Sequence, residues 1–170
     1  MKKLFKKTRL AIFMVLIAGV TACSESEKVG TQETVNTETT QLVKLDVFKS
    51  RSCECCVGWM SHIEQKGFQA TTHHPADLQQ LKYELGVAPQ YQSCHTGVSK
   101  DGYVFEGHIP ADVMQRFLAE KPENALGLAV PGMPVGSPGM EMGDRRDDYD
   151  VLLLNKDGSS QVYARIRANS

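Results

Sequence analysis

Three of the chain's five cysteines fall within four positions, in the stretch Ser52-Cys53-Glu54-Cys55-Cys56, and this crowding constrains the chain more than any other feature. Thiols that lie so close together oxidise to one another and bind soft metal ions. The cluster is therefore a disulfide staple, a redox pair or a metal site. The structural element on which the cysteines stand helps to separate these three interpretations.

The cysteines lie at a predicted junction between a strand and a helix. Residues 42–48 alternate apolar and polar side chains, which indicates a strand with one buried face. A helix is predicted from about residue 55 to residue 66, because four side chains share one face at helical spacing, and Gly67 is a suitable stop. Those four residues are Cys56, Trp59, Met60 and Ile63.

The remaining pattern alternates strands with helices. Further strands are predicted at 68–74, on both sides of the turn at 99–102, and as a terminal hairpin over 151–166; further helices are predicted at 76–86 and 111–120. Residues 128–144 are dense in Pro and Gly and are expected to form a long functional loop. The order predicts an α/β, thioredoxin-like fold: a central mixed sheet flanked by helices, with a C-terminal β-hairpin.

The N-terminus predicts export. Five basic residues and no acid occur in the first nine positions, and the apolar run 11–20 follows them, which is typical of a signal peptide. Small residues then precede Cys23, as in a bacterial lipobox, so residues 1–22 are interpreted as a lipoprotein signal peptide and Cys23 as the lipidated residue. The alternative is an ordinary signal peptide in which Cys23 is incidental.

Export predicts how the rest of the chain is divided into a tether and a domain, and in which compartment the protein lies. Residues 23–41 are almost devoid of apolar side chains and are expected to form a disordered tether, which leaves 42–170 as one folded domain. We expect a periplasmic protein that is lipid-anchored to a bacterial membrane. The formal net charge of −1 falls to −6 when the five N-terminal basic residues are removed. Such an acidic domain is a poor candidate for nucleic-acid binding, which requires cationic neutralisation of phosphates.

The cysteine spacing leaves more than one chemistry open. Cys53 and Cys56 form a C-x-x-C pair at a helix N-terminus, where the helix dipole favours thiolate; this serves a redox disulfide as well as a metal site. Cys55 favours a metal, because a dithiol oxidoreductase needs only two thiols, whereas several thiolates suit Cu(I). Cys94, on a strand predicted to run beside the cluster, can complete it. A structural disulfide, for example between Cys53 and Cys94, is the third possibility.

Other soft or borderline ligands form a candidate outer set. Met133, Met140 and Met142 lie between Pro and Gly in the long loop, where packing on a helix face does not explain them, and a thioether is a soft Cu(I) ligand. His108 follows a predicted strand and can lean towards the cysteines. His95 is expected to point away from Cys94, since neighbours on a strand face opposite sides. Hydrolase and phosphate-loop motifs do not occur in the sequence.

Four segments together resemble the CopG-type family of small exported bacterial proteins associated with copper resistance. These segments are CECCVGW, LGVAPQYQSCHTG, DGYVFEGHIPADVMQRFLAEKP and GLAVPGMPVGSPGME, and they lie within about residues 42–154. The resemblance implies a thioredoxin-like fold and a cysteine-bridged cluster of several copper ions. It also implies a role in interconverting Cu(I) and Cu(II) during periplasmic copper detoxification, alongside other copper-resistance proteins. The implied ligands are Cys53, Cys55, Cys56 and Cys94, with His108, Met133 and Met140 as further candidates.

Overall fold

Seven strands form one mixed sheet in the computed structural model of this protein, which describes residues 42–168. The predicted signal peptide, Cys23 and the tether lie outside the described residues. The strands are β1 Val43–Lys49, β2 Phe68–His73, β3 His95–Ser99, β4 Val104–Glu106, β5 Ala125–Ala129, β6 Tyr149–Asn155 and β7 Ser160–Ile166. The helices are α1 Glu54–Glu64, α2 Leu78–Glu84 and α3 Ala111–Glu120, and a 3₁₀ turn spans Pro89–Tyr91.

The strand order is β2-β1-β3-β4-β5-β6-β7. Strand β1 pairs in parallel with β2 and antiparallel with β3, and β4 pairs in parallel with β5. The last two strands form an antiparallel hairpin at one edge. The predicted mixed α/β class with a C-terminal hairpin is therefore confirmed, and the arrangement is consistent with a thioredoxin-like pattern. Within residues 42–168, no helix combines the length and apolar content needed to cross a membrane.

Helix α1 packs on the sheet through the face that the sequence predicts. Cys56, Trp59 and Ile63 are fully buried, and Met60 lies partly buried beside them. The Trp59 indole Nε1–H donates to the Ile109 carbonyl oxygen at 2.9 Å, so the largest buried side chain also has its polar atom satisfied. This contact fixes the rotation of α1 and therefore the direction in which its first turn presents the cysteines.

Strand β5 was not predicted, because its buried residues do not alternate. The strand is inside the sheet, between β4 and β6, and four of its five residues are buried. A Cβ atom at Gly127 would lie 1.8 Å from the Val104 carbonyl oxygen, so only glycine permits this approach of the two strands. A glycine inside a short apolar run looks like a loop in the sequence, although here it is a packing requirement.

Helix α2 buries a charge instead of the leucine stripe that its sequence predicts. Leu78, Leu81 and Leu85 are only half-buried, whereas Lys82 is 1% exposed. The Lys82 ammonium forms an ion pair with the fully buried Glu106 carboxylate of β4 and donates to Thr96 Oγ1 at 3.1 Å. A buried ion pair is tolerated only when its remaining hydrogen bonds are made.

The Glu106 carboxylate is the centre of this buried network. Its Oε1 also accepts the Ser93 backbone N–H at 2.6 Å, and its Oε2 accepts the Thr96 hydroxyl at 2.6 Å. The network therefore links α2, β3 and β4 to the residue that immediately precedes Cys94.

Replacement of one member of the pair should destabilise the fold strongly. Lys82→Met leaves an uncompensated buried carboxylate, and we expect it to lower the free energy of unfolding by about 3–5 kcal/mol. Lys82→Met with Glu106→Gln removes both charges, keeps an oxygen acceptor for the Ser93 N–H, and should recover most of that loss. Urea denaturation of the two variants measures the difference.

A control uses an exposed pair. Lys121 donates to Asp101 at 2.8 Å, and both side chains are more than half exposed, so Lys121→Met should change stability little. A double variant as unstable as Lys82→Met alone would contradict the expectation.

Candidate metal centre

Four cysteine sulfurs converge at the first turn of α1. Cys53 and Cys56 are joined by a disulfide, whereas Cys55 and Cys94 are free thiols. Cys55 Sγ lies 3.5 Å from Cys53 Sγ and 3.8 Å from Cys94 Sγ, and Cys56 Sγ lies 3.5 Å from Cys94 Sγ. All four sulfurs lie within 4.8 Å of one another, so the predicted association of Cys94 with the other three is what the structure shows.

The pairing of β1 with β3 brings these cysteines together. Lys49, the last residue of β1, is the register partner of His95, the first residue of β3. The chain leaving β1 therefore reaches Cys53 at the same sheet end where Cys94 enters β3. The side chain of Lys49 is buried and donates to the Ser50 and Cys53 carbonyl oxygens at 3.1 and 3.3 Å, which closes the loop before α1.

The helix start orients the other cysteines. Cys53 is the N-cap of α1 in an extended conformation, and its side chain makes no capping hydrogen bond. Cys55 and Cys56 follow in the first turn, where unpaired backbone N–H groups and the helix dipole stabilise negative charge. Cys56 points into the core, whereas Cys53 and Cys55 are partly exposed. The site is therefore open to solvent on one side.

Ser93 holds Cys94 at the opposite side of the cluster. Its backbone N–H donates to Glu106, and its hydroxyl donates to the Gly132 carbonyl oxygen. The loop that begins near Gly132 is thereby tied to the segment that carries Cys94.

His108 contacts the cluster through Nε2, which lies 3.0 Å from Cys94 Sγ. Its Nδ1 lies 2.8 Å from the Pro138 carbonyl oxygen, which can only accept, so Nδ1 carries the proton. Nε2 is then a lone pair directed at the sulfur, which is the orientation that a metal-binding imidazole needs.

His95 corrects one expectation. It was predicted to point away from Cys94, but its Nδ1 lies 3.3 Å from Cys94 Sγ, and the pair groups with His108 as a possible metal-ligand set. Strand alternation does not apply, because β3 begins at His95 and Cys94 lies before it. The ring is fully buried, 4.2 Å from the Trp59 ring, and its Nε2 has no hydrogen-bond partner among the described residues.

The long loop covers α1 with its backbone. Besides the Pro138 contact with His108, Gly139 lies against the helix so closely that a Cβ there would approach the Cys55 carbonyl oxygen to 2.4 Å. Met133 is 51% exposed and Met140 is half-buried, whereas the hydrogen bond to His108 and the close approach to α1 come from Pro138 and Gly139. Ligation by these two thioethers therefore stays a prediction.

Burial favours the neutral forms of Cys94, His95 and His108. Burial, and then the neighbouring Cys55, raise the pKa of Cys94 from its ordinary 9.0 to about 12. Burial also lowers the pKa of His108, and desolvation and the nearby cationic groups lower the pKa of His95 well below its usual range. Cys94 and His108 therefore form a thiol–imidazole pair rather than the thiolate–imidazolium pair of a cysteine hydrolase. A metal ion must displace the Cys94 proton in order to bind.

Three polar residues around the site were not predicted from the sequence. His95, Lys49 and Glu106 all lie inside the fold, and only the adjacency of His95 to Cys94 offered a signal. Lysine and glutamate on short strands look solvent-facing unless the partner that neutralises them is known.

Comparison with known proteins shows the relationships of the chain. A family model described as "Protein of unknown function, DUF411" matches residues 91–140. A solved structure titled "Copper resistance protein copG- Form 2" is 43% identical, has a TM-score of 0.70, and is matched over 75% of this chain and 100% of its own. The structure titled "Copper resistance protein copG- Form 1" is 44% identical, has a TM-score of 0.69, and is matched over 74% and 98%. None of the curated proteins compared with this chain matches it.

Fold and site together define a class: a mixed α/β domain with a soft-ligand cysteine and histidine cluster at the first turn of a helix. The family within this class follows from the sequence identity, which is above 40% over at least 98% of each matched chain. The chain belongs to the CopG copper-resistance family, and a copper-related function fits the cluster.

The loop contact generates a prediction at Gly139. The φ of Gly139 is +82°, and an added Cβ would also lie 2.6 Å from the Trp59 backbone nitrogen. Gly139→Ala should therefore lift the loop from α1 and break the His108–Pro138 hydrogen bond. Gly132→Ala is the matched control, since Gly132 has a φ of +70° but nothing within 4 Å of its Cβ position. Urea denaturation should show Gly139→Ala to be less stable than Gly132→Ala by about 1–3 kcal/mol. Equal losses would show that the loop does not pack as described.

The raised pKa of Cys94 predicts instability at alkaline pH. The unfolded thiol releases its proton near 9.0 and the folded thiol near 12, so between these values the unfolded state binds fewer protons. The free energy of unfolding should therefore fall as pH rises above 9, by less than the limit of about 1.4 kcal/mol per pH unit for one proton, because the thiol is only partly buried. Urea denaturation of the metal-free disulfide form from pH 8 to 10.5 measures the slope. Cys94→Ser should flatten it, and an unchanged slope would contradict the assignment.

Proposed function

We propose that this protein binds Cu(I) as cargo on the thiolates of Cys53, Cys55, Cys56 and Cys94, with the imidazole of His108 as a further ligand, in copper detoxification. The observation that carries the proposal is the convergence of four sulfurs within 4.8 Å, with His108 Nε2 directed at one of them. Soft thiolates favour Cu(I) over harder divalent ions. The relatives named as copper resistance proteins support the same metal.

The crowding of the sulfurs favours a cluster of several copper ions. Cys53, Cys55 and Cys56 come from one arm of the chain, whereas structural zinc sites draw two separated pairs around one ion. Sulfurs 3.5–3.8 Å apart can each bridge two metal ions. A cluster with shared sulfurs spreads charge over its ions, which supports interconversion of Cu(I) and Cu(II) as the activity. Met133 and Met140 are proposed to supply thioethers when the loop closes over the ions.

A thiol–disulfide oxidoreductase is the second candidate function. The disulfide between Cys53 and Cys56 at the start of α1 favours it, because a C-x-x-C pair at a helix N-terminus is the arrangement of dithiol redox proteins. Its substrates would be exported proteins, including those that handle copper. In that function Cys55 is dispensable. An inert staple is less well supported, since Cys55 and Cys94 remain free thiols.

We place the protein in the periplasm, attached to a bacterial membrane by a lipid on Cys23. The basic start, the apolar run and the small residues before Cys23 support this location. Copper ions, and other copper-resistance proteins of the same compartment, are the proposed partners. An exported copper protein meets both oxidation states of the metal, which suits a redox-capable site.

An anaerobic copper titration separates the two functions. The reduced mature chain should bind several Cu(I) ions, and the four thiols at positions 53, 55, 56 and 94 should become protected from alkylation. Cys55→Ser should lower the bound copper by at least one ion per chain if Cys55 bridges ions. Bound copper is counted by metal analysis after desalting, and free thiols by mass spectrometry after alkylation.

A matched control introduces serine on the same helix at a position that has no thiol. Val57 follows the cluster on α1 and is 53% exposed, so Val57→Ser should leave the copper count unchanged. If Cys55→Ser also leaves the count unchanged, the cluster is refuted. If the reduced chain retains no copper and Cys53 and Cys56 cycle as a disulfide, the protein is an oxidoreductase.

A further inference from the structure

The disulfide divides the four cysteines into two functional pairs. Cys53 and Cys56 are bonded to each other, and Cys55 and Cys94 stay free with Sγ atoms 3.8 Å apart. His108 Nε2 contacts the free pair at Cys94. We call Cys55, Cys94 and His108 the residual site, because they are the ligands of the proposed function that remain when the disulfide has formed.

We propose that the Cys53–Cys56 dithiol is the electron donor that reduces Cu(II) at this centre, and that the residual site retains the Cu(I) produced. This inference rests on the proposed function, since it requires copper to bind here. It adds the source of the electrons and the ligands of the oxidised form. The centre is then both a reductant for Cu(II) and a holder of Cu(I).

The reaction balances without an external reductant. The thiols of Cys53 and Cys56 give up two protons and two electrons, and one S–S bond forms between them. Two Cu(II) ions each accept one electron and become two Cu(I) ions. The residual site keeps one Cu(I), and the second leaves the protein. An exported thiol reductant would be needed only to restore the dithiol for another cycle.

The backbone suits this pair for oxidation. The Cα atoms of Cys53 and Cys56 are 5.4 Å apart, inside the range of unstrained disulfides, and the bond coexists with an intact α1. The cluster is assembled in the disulfide form. Cys55 Sγ lies 3.5 Å from Cys53 Sγ, and Cys94 Sγ lies 3.5 Å from Cys56 Sγ.

The residual site has the dimensions of a two-sulfur Cu(I) site, with His108 beside Cys94. Thiolate holds a metal such as zinc at about 2.3 Å, so two sulfurs 3.8 Å apart can share one ion. His108 Nε2 contacts Cys94, and the hydrogen bond to Pro138 already fixes its orientation; it groups with Cys94 and His95 and not with Cys55. The two thiolates form a soft pair that suits Cu(I). A disulfide between Cys55 and Cys94 would instead consume both free thiols.

The first test adds Cu(II) to the reduced protein. The chain carries Cys23→Ser, so that its only thiols are the four of the centre, and it receives two equivalents of copper(II) sulfate without oxygen. We expect the Cu(II) paramagnetic signal to disappear, a Cu(I)-specific chelator to count two Cu(I) per chain, and peptide mapping to find the Cys53–Cys56 disulfide. Without chelator, one copper should remain after desalting.

Two double variants test the two pairs reciprocally. Cys55→Ser with Cys94→Ser keeps the dithiol, so it should still reduce two Cu(II) but retain no copper after desalting. Cys53→Ser with Cys56→Ser keeps the residual site, so it should retain one Cu(I) supplied as Cu(I) but reduce Cu(II) at least tenfold more slowly. The reverse pattern would overturn the division into pairs.

A measurement on the oxidised chain needs no variant of the centre. The same Cys23→Ser chain, oxidised to the Cys53–Cys56 disulfide before metal is added, should bind one Cu(I), with Cys55 and Cys94 protected from alkylation. Absence of copper from that form, with copper bound normally by the reduced form, would overturn the residual site and leave the proposed function intact. Cu(II) that stays unreduced, or a disulfide that maps to other cysteines, would overturn the dithiol as donor. Failure of the reduced chain to bind copper in either oxidation state would instead refute the proposed function.

Discussion

The antiparallel pairing of β1 with β3 is the constraint on which the centre depends. With Lys49 opposite His95, the chain that leaves β1 and the chain that enters β3 meet at one end of the sheet. Cysteines 41 positions apart at their extremes, Cys53 and Cys94, thereby come within a few ångströms. The pairing of β3 with β4 brings His108 to the same place. The backbone N–H of Gly107 donates to the His95 carbonyl oxygen, which sets His108 beside the cysteines. A slip in this register would separate the sulfurs, since each residue along a strand advances the chain by about 3.3 Å.

The buried charges lie next to the ligands and not among them. Lys82 and Glu106 neutralise each other, and Glu106 accepts the Ser93 backbone N–H. The Lys49 ammonium donates to the carbonyl oxygens of Ser50 and Cys53. At the centre itself the imidazoles are neutral and Cys94 keeps its proton, because burial opposes charge on each of them. Binding of a cation replaces the proton and removes the cost of a buried thiolate. The site is therefore neutral without metal, and its thiol loses a proton and becomes a ligand when a soft cation binds.

The glycine-rich loop contributes by backbone approach. Gly139 lets the chain lie directly on α1, and the Pro138 carbonyl sets the tautomer of His108. Glu141 closes the turn by accepting the Gly139 N–H at 3.0 Å. A loop with larger side chains could not approach both the helix and the histidine. Its Pro and Gly content therefore has a geometric reason, independent of whether its methionines bind copper.

The sequence alone determined where the cysteines stand and which elements carry them. Alternation defined β1, helical spacing defined the buried face of α1, and together they placed Cys53, Cys55 and Cys56 at a strand-to-helix junction. These signals are local, so they are readable within a few residues. The tertiary structure alone decided the role of His95, the burial of Lys82 and the existence of β5, because each depends on a partner distant in the chain. His95 faces Cys94 since β3 begins only there, Lys82 is buried because Glu106 neutralises it, and Gly127 permits a strand because Val104 crosses it closely. Non-local contacts of this kind leave no periodic trace in the sequence.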